Sequence, residues 1–410
     1  MSTVFAMVET LLDEGSVDFD WFHRQELPAR LAAGNGALAA SDARKIGPLA
    51  IRTPAGTFTY VPGDETIAVV EGDENAKTVI AIDDAAWQGL VRDLDTPPGL
   101  LYGGRVETVR GNPLRFVRWE PALRAMYHGR PIYDAASVDL HGFDPAASFT
   151  MADVASDAGT MRAFLDACGY VLVRNVFTPE EIAGFLEDAD TLRDEAREGD
   201  KTSWWGRDAT GDTVLCRVLR AATRPRLRAL HDDSRVLALS ELASEPVSAR
   251  RTSDSDGVTV LWKRPDVKEG LADLPWHRDC GMGGHAINCP TLIMTICLTD
   301  GSAEAGELRA LPGSQHMTHP TVDGTEVGAP RGVSFGVKAG DLSLHYSDVL
   351  HASMPPTSAK GPHRVSVLLG FSPEGAGHHR GERHYNDVLL SRDDGLVPHL
   401  VDHVGQRREK

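Results

Sequence analysis

Hydrophobic and polar positions alternate in two long regimes along the chain. Between about Val17 and Asp134, short β-rich runs alternate with turn residues: IGPLAIRTPAGTFTYV, TIAVVEGD and KTVIAIDD, each bounded by Gly, Pro or Asp. This pattern predicts a meander of short strands. AAWQGLVRDL has the spacing of a short helix started by Asp83 or Asp84, and EPALRAMYHG that of a second helix ended by Gly129. The expected front unit is therefore α+β, over residues 1–145.

The segment HGFDPAASFTMADVASD, rich in Asp, Ser and Ala, reads as a linker and places a boundary near residue 150. Beyond it, GTMRAFLDACGYVLVRNVFTPEEIAGFLEDADTLRDEA predicts an amphipathic helix stopped at Gly169, a strand YVLVRNV, and a second helix. That helix is capped by Thr178, with Pro179 in its first turn and Glu180 and Glu181 set against the helix dipole. From about Thr259 short strands return: VTVLW, LIMTICLTD, GELRALPGS, GVSFGV, GDLSLHY and RVSVLLGF. Evenly spaced strands with Gly and Pro turns argue for a mainly β domain over residues 150–400. A double-stranded β-helix, or jelly roll, with flanking helices is the form whose mouth commonly hosts a metal. No repeat with a period of 20 to 50 residues is visible.

Bulk properties narrow the function classes. A chain of 410 residues exceeds the size at which one core usually stops growing, so two domains are expected. Lys and Arg number 42 against 59 Asp and Glu, a formal net charge of -17, which repels phosphate backbones and weighs against nucleic acid as a partner. The five cysteines form no C-x-x-C pair, and MSTVFAMVETLLDEG lacks the basic flank and long apolar stretch of a signal peptide. No stretch reaches the roughly 18 apolar residues of a membrane span. A soluble, cytoplasmic protein is the expectation.

Candidate chemistry begins in LPWHRDCGMGGH, residues 274–285. Two residues apart on an extended strand, His277 and Asp279 would share a face and reach one point in space. Two ligands seldom hold a transition ion, so a third is needed. GDLSLHYSDVLHASMPPTSAKGPHRVSVLLGF, residues 340–371, offers His351 before a small-residue loop and Arg364 at the start of the last apolar strand. That separation suits two adjacent antiparallel strands joined by the loop. His345 competes with His351 but lies inside the strand, so His351 is the expected ligand. Two imidazoles and one carboxylate on one face of an ion leave the other positions open, as in non-haem Fe(II) oxygenases. A buried Arg364 calls for an anion, and a dicarboxylate co-substrate held bidentately would supply it, with Ser353 and Ser366 as hydroxyl donors.

Four landmarks, GYVLVRNVFTPEEI, PWHRD, GELRALPGSQH and GDLSLHYSDVLHAS followed by HRVSV, come in an order and spacing that resembles the phytanoyl-CoA dioxygenase family of Fe(II)- and 2-oxoglutarate-dependent oxygenases, over residues 158–372. The resemblance implies that His277, Asp279 and His351 bind Fe(II), that Arg364 binds the 2-oxoglutarate carboxylate, and that Ser353 and Thr295 lie near the co-substrate. It implies a dioxygenase that consumes O₂ and releases succinate and CO₂. Related halogenases carry a small residue in place of the motif carboxylate. Asp279 is present, so hydroxylation or another C–H oxidation is expected. CGMGGH stands where relatives are bulkier and would widen the substrate entrance, which argues against phytanoyl-CoA itself. IDDAAWQGLVRDL and RFVRWEPALRAMYHGRPIYD give the front unit a resemblance to sterol carrier-like lipid-binding modules, which together with the acidic surface points to a neutral or apolar small molecule.

Other residues invite a role. His285, His316 and His319 are substrate-side candidates, whereas His378, His379 and His384 fall in a Gly- and Arg-rich tail and are expected in solvent. Trp204 and Trp205 in KTSWWGRD read equally as a lid over an apolar substrate or as core. Trp276 is expected to pack under the metal strand, and Cys280 is not needed as a ligand. Two further readings remain open from the residues alone: a metal-dependent isomerase or hydrolase on a similar barrel, and a binding protein without turnover.

Overall fold

A computed structural model describes residues 15–250, 256–270, 273–282, 291–318, 330–358, 360–361, 363–373, 388–400 and 402–404. The front unit holds five strands, β1 (Leu49–Thr53), β2 (Gly56–Pro62), β3 (Ile67–Glu71), β4 (Thr78–Ile82) and β5 (Val106–Arg110), in the order β3-β2-β1-β4-β5. β4 runs parallel to β1, so the expected meander is interrupted after β3. The chain also enters this sheet through helix rather than strand. A helical run from Phe19–Trp21 to Gly36–Ile46 precedes β1, with π-turns at Phe22–Glu26 and Leu31–Asn35. Its Ala39, Ala40 and Ala43 are buried at helical spacing, and small residues of this kind leave a weak hydrophobic signal.

The helices Asp84–Val91, N-capped by the Asp83 side chain, and Glu120–His128, ended at Gly129 with φ 66°, form where the sequence predicts them. Both close over an aromatic interior in which Phe22, Tyr60, Trp87, Phe116, Trp119 and Tyr127 are all buried.

The predicted linker is structured. It contains β6 (Phe149–Thr150) and a helix, Met151–Ser156, started by a Thr150–Asp153 capping box. β6 pairs in parallel with β7 (Tyr170–Arg174), which follows the helix Ala158–Cys168 as expected. Gly169 makes that turn with φ 84°. A Cβ on it would lie 2.3 Å from Val349, in the segment leading to His351. Helix Pro179–Glu195 begins with the expected cap, Thr178 and Glu181 satisfying each other's backbone N–H groups.

The remaining strands are β8 (Ser203–Asp208), β9 (Thr213–Val218), β10 (Ser248–Ala249), β11 (Val258–Lys263), β12 (Val267–Glu269), β13 (Leu274–His277), β14 (Leu292–Cys297), β15 (Leu308–Ala310), β16 (Val333–Ser334), β17 (Leu342–Tyr346), β18 (His351–Ser353) and β19 (Arg364–Ser372). They build a large sheet in the order β12-β8-β9-β11-β19-β14-β17-β7-β6, with β10 alongside β19, and a small sheet β13-β18-β15-β16. The two sheets form the jelly-roll sandwich. β14 and β17, buried at every position, run through the middle of the large sheet, where both of their faces are covered.

The structure corrects two sequence-derived details. His351 and Arg364 are not on adjacent strands, because β18 belongs to the small sheet and β19 to the large one. The chain passes from one sheet to the other between them, and the two side chains line one cavity from opposite walls. His277 and Asp279 do not share one strand either. β13 ends at His277, and Asp279 opens a 3₁₀ turn, Asp279–Met282.

Candidate metal centre

His277 and His351 stand opposite each other in the β13–β18 pair, where the strand register places them as partners. Each ring is fixed from behind. His277 Nδ1 donates to the Pro275 carbonyl at 2.7 Å, and His351 Nδ1 donates to the Val349 carbonyl at 3.0 Å. A carbonyl oxygen only accepts, so both rings carry their proton on Nδ1 and turn an Nε2 lone pair forward.

Asp279 completes the group. Its Oδ1 lies 3.7 Å from both Nε2 atoms, and the three donors fall within 4.8 Å of one another. Two donors bound to one ion at about 2.1 Å stand no more than about 4.2 Å apart, so both carboxylate–imidazole pairs suit a shared cation. Backbone bonds place the carboxylate. Asp279 N and Cys280 N both donate to the Ser347 carbonyl, at 3.0 and 3.4 Å, which ties the H-x-D turn to the segment preceding His351.

The electrostatics match a cation site. Burial works against ionisation of Asp279, but the imidazoles of His351, His277 and His345 gathered around it outweigh that and hold the carboxyl well below its usual range. Burial pushes His351 well below its usual range, so its imidazole stays neutral. An ionised carboxylate with a neutral imidazole is the donor state that metal binding requires. His345, weighed in the sequence as a rival ligand, is also present here. Its Nε2 lies 3.3 Å from Asp279 Oδ2, on the other oxygen of the carboxylate.

Across the cavity, Arg364 is 4 % exposed and donates from Nη2 to Ser353 Oγ at 2.6 Å. Among the described residues its Nε has no hydrogen-bond partner, and no carboxylate forms an ion pair with it. Ser366 Oγ, two residues along β19, is buried and likewise unpartnered. Thr295 on β14 lines the same cavity, together with Asp279, His345, His351 and Ser353. A buried guanidinium and a buried hydroxyl facing one hollow are what a carboxylate of 2-oxoglutarate would satisfy, so the residues present fit both the ion and the acid.

Sequence reasoning missed Lys263, the last residue of β11 and fully buried. Its Nζ reaches the Ser353 carbonyl at 2.7 Å, Ser353 Oγ at 3.0 Å and Asp273 Oδ1 at 2.6 Å. A lysine closing an apolar strand, VTVLWK, was the available signal. Arg217 was also missed. It lines the cavity with its guanidinium 4.4 Å from the Trp204 ring centroid.

The tryptophans themselves are packing residues. Trp204 is buried with Tyr102, Leu219 and Leu389, and Trp205 Nε1 donates to Ser203 Oγ. Trp276 packs beneath β13 against Leu311, Leu350 and Ala352, and Cys280 is buried outside the donor group. His316 is exposed and bonded to the Asp166 carbonyl. His285, His319, His378, His379 and His384 lie outside the described residues.

Residues 165–365 match the family described as Phytanoyl-CoA dioxygenase (PhyH). The chain carries a PhyH-family domain. Members are non-haem iron, 2-oxoglutarate-dependent enzymes that act on small molecules with O₂, and Fe(II) and 2-oxoglutarate are the cofactor and co-substrate of the PhyH domain.

Among solved structures, the chain is similar to AviO1 from Streptomyces viridochromogenes Tue57, at 23 % identity over 53 % of this chain and 96 % of that one, with a TM-score of 0.42. It is similar to the non-heme alpha ketoglutarate dependent epimerase SnoN from nogalamycin biosynthesis, at 22 % identity over 53 % and 84 %, with a TM-score of 0.41. It is also similar to EctD from S. alaskensis with 2-oxoglutarate and 5-hydroxyectoine, at 18 % identity over 59 % and 82 %, with a TM-score of 0.42. No curated protein matches the chain significantly. Among the described residues, no helix is long and apolar enough to cross a membrane.

Proposed function

We propose that the protein is an Fe(II)- and 2-oxoglutarate-dependent dioxygenase that hydroxylates, or otherwise oxidises, a C–H bond of a largely apolar small molecule, releasing succinate and CO₂. The observation that carries this reading is Arg364, a buried guanidinium without an acidic partner among the described residues, across one cavity from His277, Asp279 and His351. A metal-dependent hydrolase or isomerase has no need of that cation, and burying it without an anion is costly.

In this reading His277, Asp279 and His351 hold the iron, and their Nδ1 bonds and the Asp279 backbone bond orient them. Arg364 grips the distal carboxylate of 2-oxoglutarate, with Ser353 and Ser366 as hydroxyl partners and Thr295 alongside. The bound iron with 2-oxoglutarate supplies the oxidising chemistry, and the protein contributes position and exclusion of water. Leu261, Ile293, Leu308 and Leu368 line the cavity and favour an apolar substrate body, while Arg217 offers an anchor for one electron-rich substituent. Retention of Asp279 favours C–H oxidation over halogenation.

Residues 1–145 are taken as an α+β module and 150–400 as the oxygenase domain. The described cysteines, Cys168, Cys216, Cys280 and Cys297, are free thiols, which supports a reducing compartment such as the cytoplasm.

The test is spectroscopic. Anaerobic addition of Fe(II) and 2-oxoglutarate should give a weak visible charge-transfer band, and admission of O₂ should release succinate. A band without succinate would favour a binding protein. A metal-dependent reaction with no band would favour a hydrolase or isomerase.

A further inference from the structure

Arg278 separates the two metal-site residues of the H-x-D turn, and its side chain leaves the site. It is 4 % exposed, and Nη2 donates to the carbonyls of Ser314, at 3.1 Å, and Met317. Its Nη1 has no hydrogen-bond partner among the described residues, and the charged groups near enough to act on it are Arg124, Asp348, Glu120 and Arg130. Three of these belong to the front unit, on the helix Glu120–His128 or just after it.

Together with Asp93 they make an island of three carboxylates and three arginines, Asp93, Glu120, Asp348, Arg124, Arg130 and Arg278, each less than 10 % exposed. Inside it Arg124 Nε meets Asp93 Oδ1 at 2.5 Å, Arg130 Nη2 meets Asp93 Oδ2 at 3.0 Å, and Arg124 Nη1 meets Glu120 Oε1 at 3.5 Å.

The island's two members from the β-sandwich sit on the two segments that present the metal ligands. Arg278 lies between His277 and Asp279, and Asp348 lies three residues before His351, next to Ser347, whose carbonyl receives the Asp279 N–H. The front unit also holds the other end of Arg278's grip. Beside Met317, Thr318 N donates to the Pro131 carbonyl at 2.8 Å, and Tyr133 N donates to the Thr318 carbonyl at 2.6 Å. Helix Pro97–Tyr102 packs directly on the turn Asp279–Met282.

We propose that the front α+β unit is a working part of the metal centre, and that Arg278 is a positioning residue that ties the H-x-D turn to the segment 314–318, which the front unit grips through Pro131 and Tyr133, within the field of that unit's buried charges. The inference rests on His277, Asp279 and His351 being the metal ligands. Outer partners of ligand-bearing segments typically change metal affinity 10- to 100-fold when lost. A front unit tethered only by a linker would leave the turn unaffected.

The test uses the full-length metal-free protein and Co(II), whose visible absorption reports binding without turnover. At about pH 8, where Glu120 is ionised, Arg278→Met and Glu120→Gln should each weaken Co(II) binding about 10- to 100-fold. Arg278→Lys should recover part of the loss, and the double variant should be no weaker than the poorer single one. Asp341→Asn, which breaks the ion pair of the buried Asp341 with Arg174 away from the site, controls for general destabilisation: its melting temperature should fall with Co(II) affinity unchanged. Should Arg278→Met fail to fold, the isosteric Glu120→Gln decides alone. Variants that melt earlier yet bind Co(II) like the wild type would overturn this inference only. A wild-type protein that takes up no Co(II) would overturn the metal site itself and the inference with it.

Discussion

Arg364 donates to Ser353 Oγ at 2.6 Å across the sandwich, one residue opening β19 of the large sheet and the other closing β18 of the small sheet. The bond joins the two walls behind the metal group with a neutral acceptor, so the guanidinium remains short of an anion. Arg364→Met should therefore weaken 2-oxoglutarate by roughly 1.5–3 kcal/mol, the usual worth of a hydrogen bond to a charged group, and leave metal affinity nearly unchanged. The same change should leave the ligand-free protein as stable as before or more so, because it removes a buried charge that lacks a counter-ion. Titration of the charge-transfer band and thermal melting of the metal-free protein check the two halves. Equal losses of metal and 2-oxoglutarate would mean that the site had collapsed.

His345 makes a different prediction from the two histidines beside it. Its Nε2 faces Asp279 Oδ2, while His277 and His351 face Oδ1. His277→Ala or His351→Ala should abolish Co(II) binding. His345→Leu should only weaken it, by about 10- to 100-fold, since it removes a partner that orients the carboxylate. His345→Gln, which returns a donor near the Nε2 position, should recover most of that loss. Abolition of binding in His345→Leu would make His345 a ligand.

Much of this site was legible before any coordinates. H-x-D, a later histidine ahead of a small-residue loop, and an arginine opening an apolar strand are local signals, and the residues carrying them converge here. Membership of the two sheets was not legible, because twelve residues between His351 and Arg364 serve a hairpin or a crossing of the sandwich equally well. The helical run before β1 escaped notice since its buried face is largely alanine. Arg278 and Asp348 were invisible for another reason: a buried ion network joins residues distant in the chain, and no periodicity marks them.

Lys263 gives the co-substrate pocket a pH dependence of its own. Burial, only partly offset by Asp273, pushes its ammonium group down to about 8. It donates to Ser353, the residue that also receives Arg364. As pH rises through about 8 the second positive charge behind the pocket is lost, so affinity for the 2-oxoglutarate dianion should fall. Lys263→Met should bind 2-oxoglutarate more weakly at pH 7 and show a flat profile from pH 7 to 9. A wild-type profile without a step in that range would remove Lys263 from the electrostatics of the pocket.

The front unit carries an acid-sensitive device in its aromatic interior. His23 Nδ1 donates to the Phe19 carbonyl at 2.7 Å, which leaves Nε2 to accept from Tyr60, whose oxygen in turn lies 2.5 Å from that of Tyr127. The chain needs a neutral ring, and burial pushes His23 down to about 4 despite the Phe19 bond. Above pH 6.5 the ring is neutral in both folded and unfolded chains, and its contribution is complete. Between pH 6.5 and 4 the unfolded chain takes up a proton that the folded one refuses, so stability falls with pH, by roughly 3 kcal/mol at the lower end. Glu120 works in the opposite sense. Burial raises its carboxyl to about 7, so its contribution is complete below about 4.5 and is lost as pH rises towards 7. Urea unfolding of the metal-free protein at pH 7, 6 and 5 should show His23→Phe with a shallower loss on acidification than wild type. Glu120→Gln should show a steeper one. Parallel curves for all three would mean that neither group titrates differently in the folded protein.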